Sequence, residues 1–220
     1  MNGKVLLGAS TLLMLAALYM VFIYVPTEKM GIVQRIFYLM VPVGWLAMLS
    51  FLIIFVSSIL YLTKRESKWD ILAYSAAEIG LIFISLALVV GSIWAKPIWG
   101  VWWSWEARLT ATLVLWFIYI TYLMVRSFAT DESRGARFAA VVAIIGFIDI
   151  PVVALATTLW RGLHPPLMIF QGEVAPPMLA TLLVSIAAFT SLYFLLLLER
   201  VSIKHGENNI KKLRASHTRG

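Results

Sequence analysis

Residues 40–63, MVPVGWLAMLSFLIIFVSSILYLT, form a run of 24 residues without a charged side chain. A helix of about 20 apolar residues crosses the roughly 30 Å of hydrocarbon in a bilayer. The whole chain of 220 residues has the same character, since 61% of it is hydrophobic and only 13% is charged. The surface of a soluble domain needs many more charges than this. The sequence therefore predicts a polytopic membrane protein.

Six such apolar blocks follow one another along the chain, at approximately 5–25, 40–63, 72–94, 109–127, 138–159 and 177–199. Backbone groups in lipid must be hydrogen-bonded within the segment, so each block is predicted to be an α-helix. We therefore expect an all-α membrane domain of six transmembrane helices over residues 1–200. The first block lacks a small-residue cleavage site before Pro26, so it is interpreted as a membrane helix and not as a signal peptide.

The distribution of Lys and Arg predicts the orientation of this bundle. Thirteen of these residues lie at the two termini and in the loops after the second and fourth blocks, and five lie in the other three loops. The positive-inside rule then places both termini in the cytoplasm, with loops 26–39, 95–108 and 160–176 outside. The net charge of +7 thus reflects topology and requires no nucleic acid. The polar basic tail, residues 201–220, is expected to be disordered or to lie on the membrane surface.

Tryptophan is concentrated on the predicted outer face. The sequence IWGVWWSWEARLT, residues 98–110, holds four of the nine tryptophans, and Trp45, Trp94 and Trp160 lie in or near the same face. An interfacial aromatic belt is one explanation, but a belt predicts tryptophans at both faces. A stacking platform for a large, flat, apolar molecule is the alternative. If 98–107 is partly helical, Trp99, Trp102, Trp103 and Glu106 share one helix face.

Each outer loop also carries one arginine, and the third carries a histidine. Arg35, Arg108 and Arg161 could together bind carboxylates on the rim of such a molecule, or could singly anchor the protein to lipid phosphate. His164 lies between Gly162 and two prolines that stiffen the turn. An imidazole there could be an axial iron ligand, although a loop histidine is more often merely exposed.

Two further observations bear on chemistry. The chain has no cysteine, which excludes disulfides, thiolate catalysis, zinc-thiolate sites and a covalent c-type haem attachment motif. Glu78 and Asp149 lie inside the third and fifth apolar blocks, where carboxylates are costly and usually mark a function or a partner contact. A neutral carboxyl group hydrogen-bonded between helices is the simpler explanation for both. Pro151 is expected to kink the fifth helix.

Several motifs together resemble one family. WGVWWSWEARLT is similar to the tryptophan-rich WWD signature of haem-handling membrane proteins in cytochrome c maturation. Within that superfamily, QRIFYLMVPVGW at 34–45 and WRGLH at 160–164 resemble the CcmC/HelC family of haem exporter proteins, over nearly the whole chain.

The resemblance implies a multi-pass protein of the bacterial inner (plasma) membrane that is not an enzyme. It implies that haem b is held on the outer face, that Trp99, Trp102, Trp103 and Trp105 pack on the porphyrin, and that His164 is an iron ligand. The implied partners are a CcmE-like periplasmic haem chaperone, ABC-type subunits CcmA and CcmB, a CcmD-like small subunit and the lipid itself. Glu106, Arg35, Arg108 and Arg161 would complete the haem site.

The sequence departs from the family pattern at two positions. Met40 stands where the family has its first haem-ligating histidine, and Glu106 stands where the WWD signature has aspartate. The second change keeps the charge on a longer arm. For the first, Met40 could ligate iron through its thioether, the position could be open with His164 as the single ligand, or Met40 could merely pack on the ring.

Two other functions remain open at the level of sequence. A haem lyase that attaches haem covalently would require more helices or a periplasmic domain. A substrate-translocating subunit of an ABC transporter would require a polar lining across several helices, whereas only Glu78 and Asp149 stand out.

Overall fold

The fold is a bundle of long helices. The computed structural model describes residues 3–27, 31–160, 162–163 and 175–217. The first helix, α1 (Gly3–Tyr19), continues into a π-helical turn (Met20–Tyr24), and a 3₁₀ turn (Gly31–Val33) precedes α2 (Gln34–Lys64). The remaining helices are α3 (Ser67–Trp99), α4 (Ala107–Phe128), α5 (Glu132–Gly146), α6 (Asp149–Leu159) and α7 (Pro176–His217).

Six segments of this bundle are long and apolar enough to cross a membrane, which confirms the predicted all-α architecture. They are Gly3–Tyr24, Gly31–Lys64, Ser67–Trp99, Ala107–Phe128, Glu132–Ala156 and Pro176–Lys211. We call the end of the bundle that carries the α3–α4 connection the tryptophan end, and the end that carries the C-terminus the tail end. The placement of the tail end in the cytoplasm stays a prediction.

The fifth span is broken in the middle, as Pro151 predicted. Proline has no N–H to donate to the carbonyl oxygen of Phe147. That oxygen instead accepts a hydrogen bond from the N–H of Ile150, three residues further along the chain, at 3.1 Å. The N–H of Ile148 likewise donates to the carbonyl of Ile145, at 3.2 Å. The break therefore separates α5 from α6 and leaves Asp149 as the first residue of α6.

Close packing of α2, α3 and α4 forms the centre of the bundle. The ring of Tyr119 lies edge-on to Phe51, with the centroids 5.2 Å apart, and its hydroxyl donates to the carbonyl of Ala47 at 2.6 Å. Gly80 of α3 makes room for this ring, because a Cβ at Gly80 would lie 2.5 Å from Tyr119 Cε1. These contacts hold α2, α3 and α4 against one another in the centre of the bundle.

The tail end is held by ion pairs, which corrects two expectations. Glu78 is not a neutral carboxyl group, because Arg200 of α7 binds it in bidentate fashion at 2.6 and 3.0 Å. The tail is not disordered in its described part, because α7 continues as one helix to His217. Lys211 anchors this extension to Glu132 of α5, with the Nζ and Oε1 atoms 2.6 Å apart.

Removing one partner of the Glu78–Arg200 pair should destabilise the bundle. The two side chains are 29% and 25% exposed, so a lone charge there remains poorly solvated. We expect Arg200→Met to lower the free energy of unfolding by about 1–2 kcal/mol, and Glu78→Gln combined with it to cost less than the two single changes summed. Thermal unfolding in detergent measures both quantities.

The matched control for this cycle is Lys68→Met. It breaks the pair with Glu66, whose side chains are 59% and 45% exposed, and should have almost no effect. Additive losses for Glu78 and Arg200 would contradict the coupling.

Candidate functional site

The tryptophan-rich stretch leaves the helix at Gly100. This glycine has a left-handed backbone, with φ of 79°, and its N–H bonds the carbonyl of Lys96 at 3.0 Å, which ends α3. Residues 100–106, which we call the tryptophan loop, are not helical. The expectation that Trp99, Trp102, Trp103 and Glu106 share a helix face is therefore wrong: only Trp99 lies in a helix, as the last residue of α3.

The indole rings of this region are nevertheless brought together in two edge-to-face pairs. The ring centroids of Trp94 and Trp99 are 5.3 Å apart, and those of Trp103 and Trp105 are 5.7 Å apart. Trp94 is buried, whereas Trp102 and Trp105 are 58% and 76% exposed. Two large indole faces are thus presented at the tryptophan end, and one of them, Trp105, packs edge-on against the half-buried ring of Trp103.

Lys96 holds the beginning of the loop. Its ammonium group donates to the carbonyl of Gly100 at 3.0 Å and lies 5.9 Å from the ring centroid of Trp102. The lysine therefore bridges the last turn of α3 and the loop, and its cation–π contact orients the exposed indole.

Four polar atoms beside the rings are buried without a hydrogen-bond partner: Trp94 Nε1, Trp103 Nε1, Ser104 Oγ and Thr110 Oγ1. Each of these atoms belongs to an N–H or O–H donor, and buried donors are normally satisfied. Arg108, in the first turn of α4, adds a half-buried cation that makes no side-chain hydrogen bond or ion pair within the described residues. Such a set of donors suits a ligand that carries anionic oxygen atoms.

The other two arginines predicted to bind the ligand are Arg35 and Arg161. Arg35 faces the π-helical turn after α1, where it donates to the carbonyl of Phe22 at 3.3 Å and lies 5.4 Å from the ring centroid of that residue. Its Nε atom is buried without a hydrogen-bond partner. Arg161 lies outside the described residues. The convergence of all three arginines on one ligand stays a prediction.

Of the two proposed iron ligands, the structure describes one. His164 lies outside the described residues. Met40 is half-buried and lies in the second turn of α2. It is seven residues before Ala47 and eleven before Phe51, so the three share one helix face. On this face Phe51, about three turns from Met40, contacts the ring of Tyr119 of α4.

Glu106 connects the tryptophan loop with the segment that precedes His164. Its Oε2 atom accepts a hydrogen bond from the backbone N–H of Leu163, at 2.8 Å. Gly162 allows this approach, since a Cβ there would lie 2.6 Å from the same oxygen. We call this contact the Glu106 clasp. Sequence reasoning assigned Glu106 to the ligand and missed Gly162, although a glycine two residues before His164 was a visible signal.

Breaking the Glu106 clasp should release the segment between α6 and α7. We expect Glu106→Ala to raise the rate of tryptic cleavage after Arg161 by about tenfold, because a hydrogen bond to a carboxylate is lost. Gly162→Ala should act in the same direction by steric displacement. Fragments from protein in nanodiscs can be quantified by mass spectrometry.

The matched control is Glu106→Gln, whose amide oxygen can still accept from Leu163, and which should be cleaved at nearly the original rate. Equal cleavage of the Ala and Gln variants would mean that the clasp does not hold this segment.

Comparison with known proteins identifies the family of this chain. The family model described as Heme exporter protein C matches residues 2–216. Heme exporter protein C of Bradyrhizobium diazoefficiens is 34% identical over 191 residues, covering 85% of this chain and 73% of the relative. The Escherichia coli (strain K12) protein of the same name is 32% identical over 181 residues, covering 82% and 74%.

The protein of that name from Rhodobacter capsulatus is 28% identical over 220 residues, covering 96% of this chain and 91% of the relative. Relatives with this name are components of transport and maturation and not enzymes, which argues against a haem lyase. The chain therefore belongs to the Heme exporter protein C family, multi-pass membrane proteins of haem export for cytochrome c maturation.

Proposed function

We propose that this protein binds haem b at the tryptophan end, on the outer face of the bacterial inner membrane, and delivers it to a CcmE-like periplasmic chaperone. The observation that carries the proposal is the pair of exposed indoles, Trp102 and Trp105, beside buried donors that lack partners. A porphyrin is a flat apolar ring with two carboxylates on its edge, and it needs both kinds of contact.

In this proposal the indole rings contact the porphyrin ring, and the polar donors contact its propionates. Trp102 and Trp105 supply apolar faces for the macrocycle, and the ring of Trp103 lies edge-on to that of Trp105. Trp103 Nε1, Ser104 Oγ and Thr110 Oγ1 would supply hydrogen-bond donors for the propionates, and Arg108 would supply the opposite charge. A binding face on the surface of the bundle suits a cargo that must leave again.

His164 would hold the iron, and Met40 is the second candidate ligand. Met40 lies in the second turn of α2, and Arg108 lies in the first turn of α4. Met40 has three alternative roles. It is a thioether ligand of the iron, a packing contact of the ring, or a neighbour of an open coordination position. A thioether ligand would raise the reduction potential relative to two histidines.

Delivery requires partners, which we assign from the family. ABC-type subunits CcmA and CcmB and a CcmD-like small subunit would act with this chain in haem export, and the chaperone would receive haem at the tryptophan end. The bundle itself contributes the site from which haem is released.

Removing the exposed indoles tests the proposal directly. We expect Trp102→Ala combined with Trp105→Ala to weaken haem binding by about tenfold or more, because two stacking faces are lost. Haem titration of the purified protein, followed by the Soret band, measures this. Trp69→Ala, at the tail end beside Lys64 and Lys68, is the matched control and should leave the affinity unchanged. Equal affinities for the two variants would overturn the proposed site.

The axial ligands are tested separately by spectroscopy. His164→Ala should shift or abolish the Soret band, whereas His205→Ala in the tail should not. If Met40 ligates the iron, Met40→Ala changes the axial spectrum and the potential, and Met40→His gives a spectrum of bis-histidine type. Met48→Ala, two turns deeper on α2, controls for loss of a methionine. An unchanged spectrum for His164→Ala would remove His164 as a ligand.

A further inference from the structure

A groove of about 460 Å³ opens on the outside of the bundle, where α4, α5 and α6 meet. Its walls are apolar side chains from the three helices together with one carboxyl group, and they include Ile118, Val142, Ile145, Ile148, Val152 and Asp149. Ile145 and Ile148 are 62% and 70% exposed, so this side of the bundle is not covered by another part of the described chain. The groove lies away from the tryptophan loop and takes no part in the haem site.

Asp149 lies in the middle of the apolar block 138–159, eleven residues after its start and ten before its end. A helix over this block, at 1.5 Å per residue, would place it roughly 15 Å from either edge of the hydrocarbon. The break between α5 and α6 thus brings a carboxyl group to the depth at which ionisable side chains are most costly.

The carboxyl group has no partner within the described chain. Its Oδ2 atom is buried and accepts no hydrogen bond. The polar neighbour that lines the same groove is Thr121, and its hydroxyl already donates to the carbonyl of Phe117 at 2.8 Å. A buried polar group of this kind is normally satisfied, by a donor or by a cation.

This chain cannot supply that cation, either to itself or to a second copy. Within the six apolar blocks, the sequence has a single basic residue, Arg126. Arg126 lies near the tail end of α4 and is already bound to Asp70, with Nη2 and Oδ2 3.0 Å apart. Charge complementarity at mid-bilayer depth therefore points to a different polypeptide.

We propose that the groove between α4, α5 and α6 receives a transmembrane helix of a partner protein, with a lysine or arginine at mid-bilayer depth that pairs with Asp149. The apolar walls pack the helix, and the ion pair sets its depth and register, since neither charge is tolerated alone in hydrocarbon. The inference is independent of haem binding, because no residue of the groove belongs to the tryptophan loop.

A designed peptide tests this without knowledge of the natural partner. The full-length protein, with one cysteine introduced by Phe138→Cys for a fluorophore, is reconstituted in phosphatidylcholine vesicles; the chain has no other cysteine. Leucine–alanine peptides that span the bilayer carry either lysine or leucine at the centre. We expect energy transfer to report association of the lysine peptide that is about tenfold stronger than that of the leucine peptide.

Three variants test the mechanism. Asp149→Asn should remove the preference for the lysine peptide, whereas Glu199→Gln, an exposed carboxylate at the tail end, should retain it. Ile145→Trp should fill the groove and weaken binding of the lysine peptide with Asp149 intact. Equal binding of both peptides, or a preference that survives Asp149→Asn, would overturn the proposal. Self-association that excludes both peptides would do the same, and would assign the groove to a second copy.

Discussion

The absence of water in the hydrocarbon core is the constraint on which this structure depends. Every backbone N–H and C=O group at that depth must be bonded within the chain, so the described spans are helical, with a break in the fifth span between α5 and α6. The non-helical tryptophan loop, by contrast, lies at an end of the bundle. The tryptophan loop begins where α3 ends at Gly100, and the interior of the bundle is filled by contacts such as Gly80 against Tyr119.

The two ends of the bundle solve different problems. At the tail end, charges on α3, α4, α5 and α7 are paired across helices, as in Asp70–Arg126 and Glu78–Arg200, which makes this end rigid. At the tryptophan end, several donors are buried without partners, and large rings stand exposed. Paired charges at the tail end join the helices of the bundle, whereas unpartnered donors beside exposed rings at the tryptophan end suit a ligand that comes and goes. The Glu106 clasp joins two loops at this end through a single backbone hydrogen bond.

The break in the fifth span, between α5 and α6, differs from both ends of the bundle. A helix break inside the membrane is tolerated where neighbouring helices satisfy the freed backbone groups. The carbonyl oxygen of Phe147 accepts a hydrogen bond from the N–H of Ile150. The ring of Phe147 stacks on that of Phe55, with the centroids 3.9 Å apart. The backbone of the break is thus accounted for, while the carboxyl group of Asp149 beside it is not. This contrast separates a structural feature of the bundle from a position that requires a second polypeptide.

The sequence by itself determined the number of spans and their approximate positions, the break at Pro151 and the cluster of tryptophans, although α2 begins before the predicted block 40–63 and α7 continues well beyond 177–199. These follow from local properties: the length of apolar runs, the missing N–H of proline and the composition of one loop. It could not determine that the tryptophan loop is non-helical, because helical spacing alone does not reveal where a left-handed glycine ends a helix. Nor could it determine that Glu78 meets Arg200 or that Glu106 meets Leu163. Those partners are 122 and 57 residues apart in the chain. Only the packing of whole helices brings such distant residues together, so only the tertiary structure decided which charges are paired and which remain available.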